Sequence, residues 1–189
     1  LLRNHEISYG EKELGPFAHH KEIPSSLVYD KEGAGGVSKL TLNKETLEIE
    51  DSAMLLAGTV RNCAGGISSH GWFSCEETVD FPHHGFVFLV DVKQSSLQKP
   101  QRIDNYGRFY HEACVMDERT QTAYLTEDRS DGCFYRFVPA DKENPFGEGR
   151  FQAMRIKNKA QFKTYKKVKV GENFEVEWVD VENQTSIED

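Results

Sequence analysis

A strand-sized element written three times constrains this chain more than any other feature. GGVSKLTLN (35–43), HGFVFLVDV (84–92) and DGCFYRFVP (131–139) each set a glycine ahead of aromatic or β-branched residues at strand spacing. The glycines Gly36, Gly85 and Gly132 stand 49 and 47 positions apart. Periods of about 40 to 50 residues carried by short strands are the signature of propeller blades, each a four-stranded sheet. A second element precedes the first. GWFSCEE (71–77) and TAYLTED (122–128) are apolar strands ending on paired acids, and LLRNHE (1–6) has the same shape with one acid. A third pairing sets RNCAGG (61–66) against YHEACV (110–115), which puts Cys63 opposite Glu112 at a spacing of 49.

Helical periodicity is not sustained for three turns anywhere, so the expected fold is all-β. The repeat makes it a β-propeller, with three to four blades in one partial domain over 1–189. Propellers close with four to eight blades, so the chain reads as part of a larger propeller, or as one that a partner completes. GRFQAMRIK (149–157) and NFEVEWVDV (173–181) read as two further strands, 140–149 as a loop, and 182–189 as a linker or cut connection.

The net charge of -8 argues against a nucleic-acid partner, whose binding is built from clustered Lys and Arg. The one basic run, KTYKKVK (163–169), alternates with Thr, Tyr and Val and reads as the solvated side of a strand. No stretch approaches the roughly 20 apolar residues of a membrane span, and no leader precedes the first strand. The chain opens on Leu1, so either end is taken as a possible cut. Four cysteines, Cys63, Cys75, Cys114 and Cys133, are too few and too scattered for a disulfide scaffold, and no CxxC pair points to zinc.

The chemistry lies in the acids at the strand ends: Glu6, Glu76, Glu77, Glu112, Glu127 and Asp128. Equivalent positions on successive blades come round to one radius and height, and carboxylates gathered there repel unless cations sit among them. Oxygen clusters suit calcium, whereas a sulfur among them calls for a softer ion such as iron. Cys63 is thus a candidate metal ligand, with Gly65 and Gly66 letting the backbone pass close to the ions. The plainer readings stay open: strand-end acids serve as turn formers, and free cysteines as small buried hydrophobes. Cys75, Cys114 and Cys133 are placed in that last class because each sits in an apolar run. His5 and His111 precede acids and read as orienting partners or as structural residues; His83 and His84 read as turn residues. Arg61, Asn62 and Arg129 flank the acids and offer donors to a phosphate, with an ion pair to Asp128 or Asp131 the alternative for Arg129.

GTVRNCAGG (58–66), SCEE (74–77), HGFVFLVDV (84–92), GRFYHEA (107–113) and YLTEDRSDGCFYRF (124–137), taken in order, resemble the PhoX-type alkaline phosphatase family. LLRNHE resembles an early segment of that family, and WVDVENQTS (178–186) its later connection into further blades. The resemblance implies a six-bladed propeller whose channel holds iron and calcium and hydrolyses phosphate esters. It implies iron on Cys63, the metal cluster on Glu112 and on Glu76 or Glu77, a weaker transfer to Glu6, and phosphate contact by Arg61, Asn62 and Arg129. It names no catalytic group here. It also implies a monomer exported to the periplasm. Family members carry a Pro-Trp-Gly turn where this chain reads ISSHGWF, so the register of Glu76 against Glu77 is open by one. The family's later acid-bearing blades lie beyond Asp189, so the expectation is an inactive chain within an active parent. Two rival readings are a non-catalytic, metal-stabilised propeller binding module and a calcium-dependent lactonase or phytase-like hydrolase without a sulfur ligand.

Overall fold

Side chains alternate across a strand with period two, so a continuous apolar run such as VFLV makes a strand buried on both faces. A computed structural model describes residues 1–16, 23–159 and 161–182, and places the strands there in three antiparallel sheets. The first sheet orders β1 (Leu2–His5), β2 (Gly35–Leu42) and β3 (Ile49–Thr59). The second contains β4 (Asn62–Ser68), β5 (Gly71–Glu76), β6 (Val87–Val90) and β7 (Gln101–Ile103) in chain order. The third continues with β8 (His111–Asp117), β9 (Thr122–Glu127), β10 (Phe134–Pro139), β11 (Gly149–Ile156) and β12 (Val176–Asp180). Helix in the described residues is limited to short 3-10 turns at Lys12–Leu14, Ser25–Leu27 and Asp104–Tyr106. The all-β expectation holds. No described helix is long and apolar enough to cross a membrane.

The middle sheet is the filling between the other two. Phe88 and Val90 of β6 turn one way, onto Val37, Leu55 and Leu56 of the first sheet, and Trp72 packs against the same cluster. Val87 and Leu89, with Phe73 and Cys75 of β5, turn the other way onto Cys114, Met116, Leu125, Phe137 and Phe151 of the third. Each such residue removes about 1.5–3 kcal/mol of apolar exposure from water, so the two clusters lock the sheets face to face.

One close approach sets where β4 and β8 run. A Cβ on Gly66 would collide with the carbonyl oxygen of Cys114, and one on Gly65 with that of Phe73. The glycines therefore admit neighbouring backbone on both sides of β4, as their place in RNCAGG foreshadows. Both first strands also bulge at matching places. In β4 the pairing jumps from Asn62↔Glu76 to Gly65↔Ser74, and in β8 from His111↔Glu127 to Cys114↔Leu125. Cys63 and Ala64 occupy one bulge, and Glu112 and Ala113 the other. A bulge leaves ladder groups unpaired, and side chains satisfy them here. Asn4 Nδ2 donates to the carbonyls of Cys63 and Ala64, at 3.1 and 2.6 Å, and Ala113 N–H donates to Thr126 Oγ1 at 3.1 Å.

A buried acid closes the other end of β5. Glu76, with no exposed surface, accepts the backbone N–H groups of Val60, Gly85 and Phe86 and bonds His84 Nδ1 at 2.7 Å. His84, equally buried, reaches Asp30 with Nε2 at 3.2 Å. His84 is thus a structural keystone rather than a plain turn residue. Burial alone would lower its pKa, but the hydrogen bonds and charges of Glu76 and Asp30 outweigh that and hold it above the ordinary value.

Two expectations fail. KTYKKVK (163–169) is a turn at 165–167 flanked by irregular backbone, not a strand, and no ladder pairs with it among the described residues. Cys133 is exposed, lying ahead of β10 rather than within it. Residues 183–189 of the expected linker lie outside the described residues.

Gly66→Ala should cost about 2 kcal/mol or more, since neither colliding group is a movable side-chain end; urea unfolding measures it. His84 gives a pH signature. A raised folded-state pKa means its stabilisation is complete below about pH 6.5 and fades as pH rises through the folded value. The urea midpoint of the wild type should fall over that rise, and His84→Gln, costing about 1–3 kcal/mol at low pH, should flatten the fall.

Candidate metal centre

The two bulges point Cys63 and Glu112 at each other. The thiol donates to the Glu112 carboxyl group, with Sγ 3.5 and 3.6 Å from its oxygens. Glu6, just past β1, and Glu77, just past β5, complete one group with Cys63 whose ligand atoms all lie within 4.8 Å of one another. Glu77, Glu112 and Asp128 form a second group within the same limit, so Glu77 belongs to both. A bridge between Glu77 and Tyr110 ties the end of β5 to the approach of β8, which brings these acids together.

Arg61 sits among them. It adopts a φ of 48°, a left-handed backbone uncommon for a non-glycine residue, and its N–H and carbonyl bond Ile7 and Glu77. Those bonds fix the chain beside Glu6 and Glu77. Its guanidinium lies 3.6 Å from Glu6 and 3.7 Å from Glu77, too far for hydrogen bonds, so the N–H groups are not consumed there. Burial raises the Glu77 pKa, Arg61 opposes the rise and Glu6 adds to it. The Cys63 thiol is pushed up to about 12, first by burial and then by the Glu112 charge, with Glu6 and Glu77 contributing.

Other sequence expectations separate from the centre. Glu76 is not part of it, because its oxygens are taken up by three backbone donors and His84. Of the two neighbours, Glu77 is the one that stands beside Cys63, Glu112 and Asp128. Asn62 is fully buried, accepting from Thr59 and donating to Ser74, which leaves it no reach to a phosphate. Arg129 is exposed, pairs with Asp131 at 3.1 Å, and lies 5.2 Å over the Tyr110 ring beside Asp128. His5 bonds Ser38 and His111 bonds the Gly107 carbonyl, so neither hydrogen-bonds the acid that follows it. Asn4 and Thr126, which hold the bulges, escaped the sequence reading; the one available signal was a polar side chain inside an apolar strand.

The donor set fits the ions that the resemblance implies. Two like charges about 5 Å apart repel by about 3 kcal/mol at an effective dielectric of about 20, and one half-exposed arginine offsets only part of that. A cation between them reverses the sign and also favours loss of the thiol proton. One sulfur suits iron, and the remaining carboxylate oxygens suit calcium. The residues that would hold the ions are Cys63, Glu6, Glu77, Glu112 and Asp128.

Residues 43–189 match the family described as Alkaline phosphatase PhoX. Among solved structures, Pseudomonas fluorescens PhoX in complex with vanadate, a transition state analogue, is similar at 18% identity and a TM-score of 0.45. That likeness covers 81% of this chain and 31% of the other. No curated protein matches the sequence. With the family match running over most of its length, the chain belongs to the PhoX alkaline phosphatase family.

Proposed function

We propose that this chain supplies the iron-binding thiolate and part of the carboxylate set of a metal-dependent phosphatase that hydrolyses phosphate esters. The observation that carries the reading is the meeting of Cys63 and Glu112 on matched bulges, in a chain of this family. A module that used cations only for stability would need no sulfur among its oxygens, and neither would a calcium-only hydrolase.

The sheets are read as propeller blades. The second and third repeat the same strand order, with β4 and β8 as their first strands. Val115 and Met154 stay exposed, with Tyr124 and Trp178 partly buried, on the side of the third sheet away from the second, where a further sheet would stack. The activity is proposed for the intact protein that contains this chain, with export to the periplasm and a monomeric state going with that reading.

Iron and calcium, when bound, polarise phosphoryl oxygens and lower the pKa of bound water. The chain's own residues do the rest. Glu77 and Glu112 would hold the ions from two sheets at once. Arg61 holds its guanidinium over the acids with N–H groups free to meet phosphate oxygens. Arg129, braced by Asp131 and Tyr110, guards the Asp128 side and offers a second cationic contact.

Cys63→Ala in the intact protein should remove bound iron, leave part of the calcium, and lower hydrolysis of a phosphate monoester by more than about 100-fold. Elemental analysis of the purified variant reads the metals directly. Unchanged iron content would overturn the assignment.

A further inference from the structure

The long connection between β11 and β12, residues 157–175, takes no part in the centre, yet strand register fixes where it emerges. Ile156 pairs with Val176 where the two strands end. β10 begins nearby at Phe134, opposite Thr126, and β8 begins at His111, opposite Glu127. The connection therefore leaves the third sheet at the end that carries Glu112 and Asp128. Three strand spacings separate β11 from β8, about 14 Å. Lys163 also acts on Asp131: Arg129 holds that carboxyl below its usual range, and the lysine adds to the effect.

The charge of the first part of this connection is unlike the rest of the chain, with the acids Glu172 and Glu175 following only near its end. KNKAQFKTYKKVK (157–169) carries six lysines and no acid, in a protein of net charge -8. Lys157 is spent on Glu175 at 3.1 Å, and Lys159 rests over the Phe162 and Phe174 rings at 4.6 and 4.8 Å, clasping the base. Lys163, Lys166, Lys167 and Lys169 are exposed and make no ion pair among the described residues. A solvated surface loop would ordinarily intersperse both signs. Phosphate esters approaching an acid-lined centre on an acidic protein meet net repulsion, and an unpaired cationic segment at the rim offsets it within the roughly 8–10 Å that salt leaves unscreened.

We infer that Lys163, Lys166, Lys167 and Lys169 form a docking lip for soluble, multiply charged phosphate compounds, placed to pass them to the adjacent centre. Passage to the centre rests on the phosphatase reading; docking does not.

The test uses the protein as isolated and inorganic tripolyphosphate as probe, titrated calorimetrically at about 20 and about 200 mM NaCl, conditions that change the screening length several-fold. The wild type should bind at least about tenfold more tightly at the lower salt. The variant K163Q/K166Q/K167Q/K169Q should lose at least about tenfold in affinity and most of the salt dependence, with an unchanged unfolding midpoint. A control variant, K31Q/K44Q/K93Q/K99Q, which removes four exposed lysines elsewhere in the chain, should bind as the wild type does, while the iron content of Cys63→Ala reads the phosphatase reading separately. Equal binding by the first lysine variant, an equal loss in the control variant, or binding of phosphatidylglycerol vesicles without binding of tripolyphosphate would each overturn the lip.

Discussion

The contact on which the rest depends is backbone against backbone: Gly66 of β4 beneath the carbonyl of Cys114 in β8. Adjacent sheets usually hold their strands apart by the side chains between them, about 10 Å face to face. Removing the side chain at one position lets two first strands draw together. Only then do bulges three residues before Gly66 and two before Cys114 turn Cys63 and Glu112 into a common space. The bulges hold because Asn4 and Thr126 satisfy the groups they free. Asn4 belongs to β1, and its Oδ1 also accepts from Trp72 and Ser74, so one side chain joins the first sheet to the second beside the centre.

The paired acids divide their work in the same way in both sheets. The first of each pair holds local structure: Glu76 gathers Val60, Gly85, Phe86 and His84, while Glu127 accepts from Cys133 N–H and Tyr135 OH. The second, Glu77 or Asp128, turns to the centre. Alternation across a strand explains the division, since neighbours face opposite ways. It also explains how a cluster of mutually repelling groups stays in place. The anchoring acids fix the backbone, and the repulsion is left as a driving force for cation binding.

Much of this was legible in sequence because period-two patterns and repeats survive without coordinates. β5, β6, β9 and β10 appear in the glycine-led and acid-ended runs, and the spacing of 49 brought Cys63 and Glu112 together. Two strands were missed. The outer half of β3 reads IEDS, exposed and acidic, and β7 is three residues long after Pro100, so neither shows an apolar rhythm. The structural roles of Glu76 and Asn62 stayed hidden because a strand pattern does not show what a side chain meets: Val60, Gly85, Phe86 and His84 for the acid, Thr59 and Ser74 for the amide. His84 escaped for the same reason: its meaning lies in Asp30 and Glu76, 54 and 8 positions away.

X-ray absorption at the iron edge of the intact protein tests the shared cation most directly. The account predicts one sulfur bonded to iron among oxygen ligands, with the sulfur contribution disappearing when Cys63 is replaced by serine. Iron surrounded by oxygen and nitrogen alone, or a sulfur contribution that survives the replacement, would contradict it.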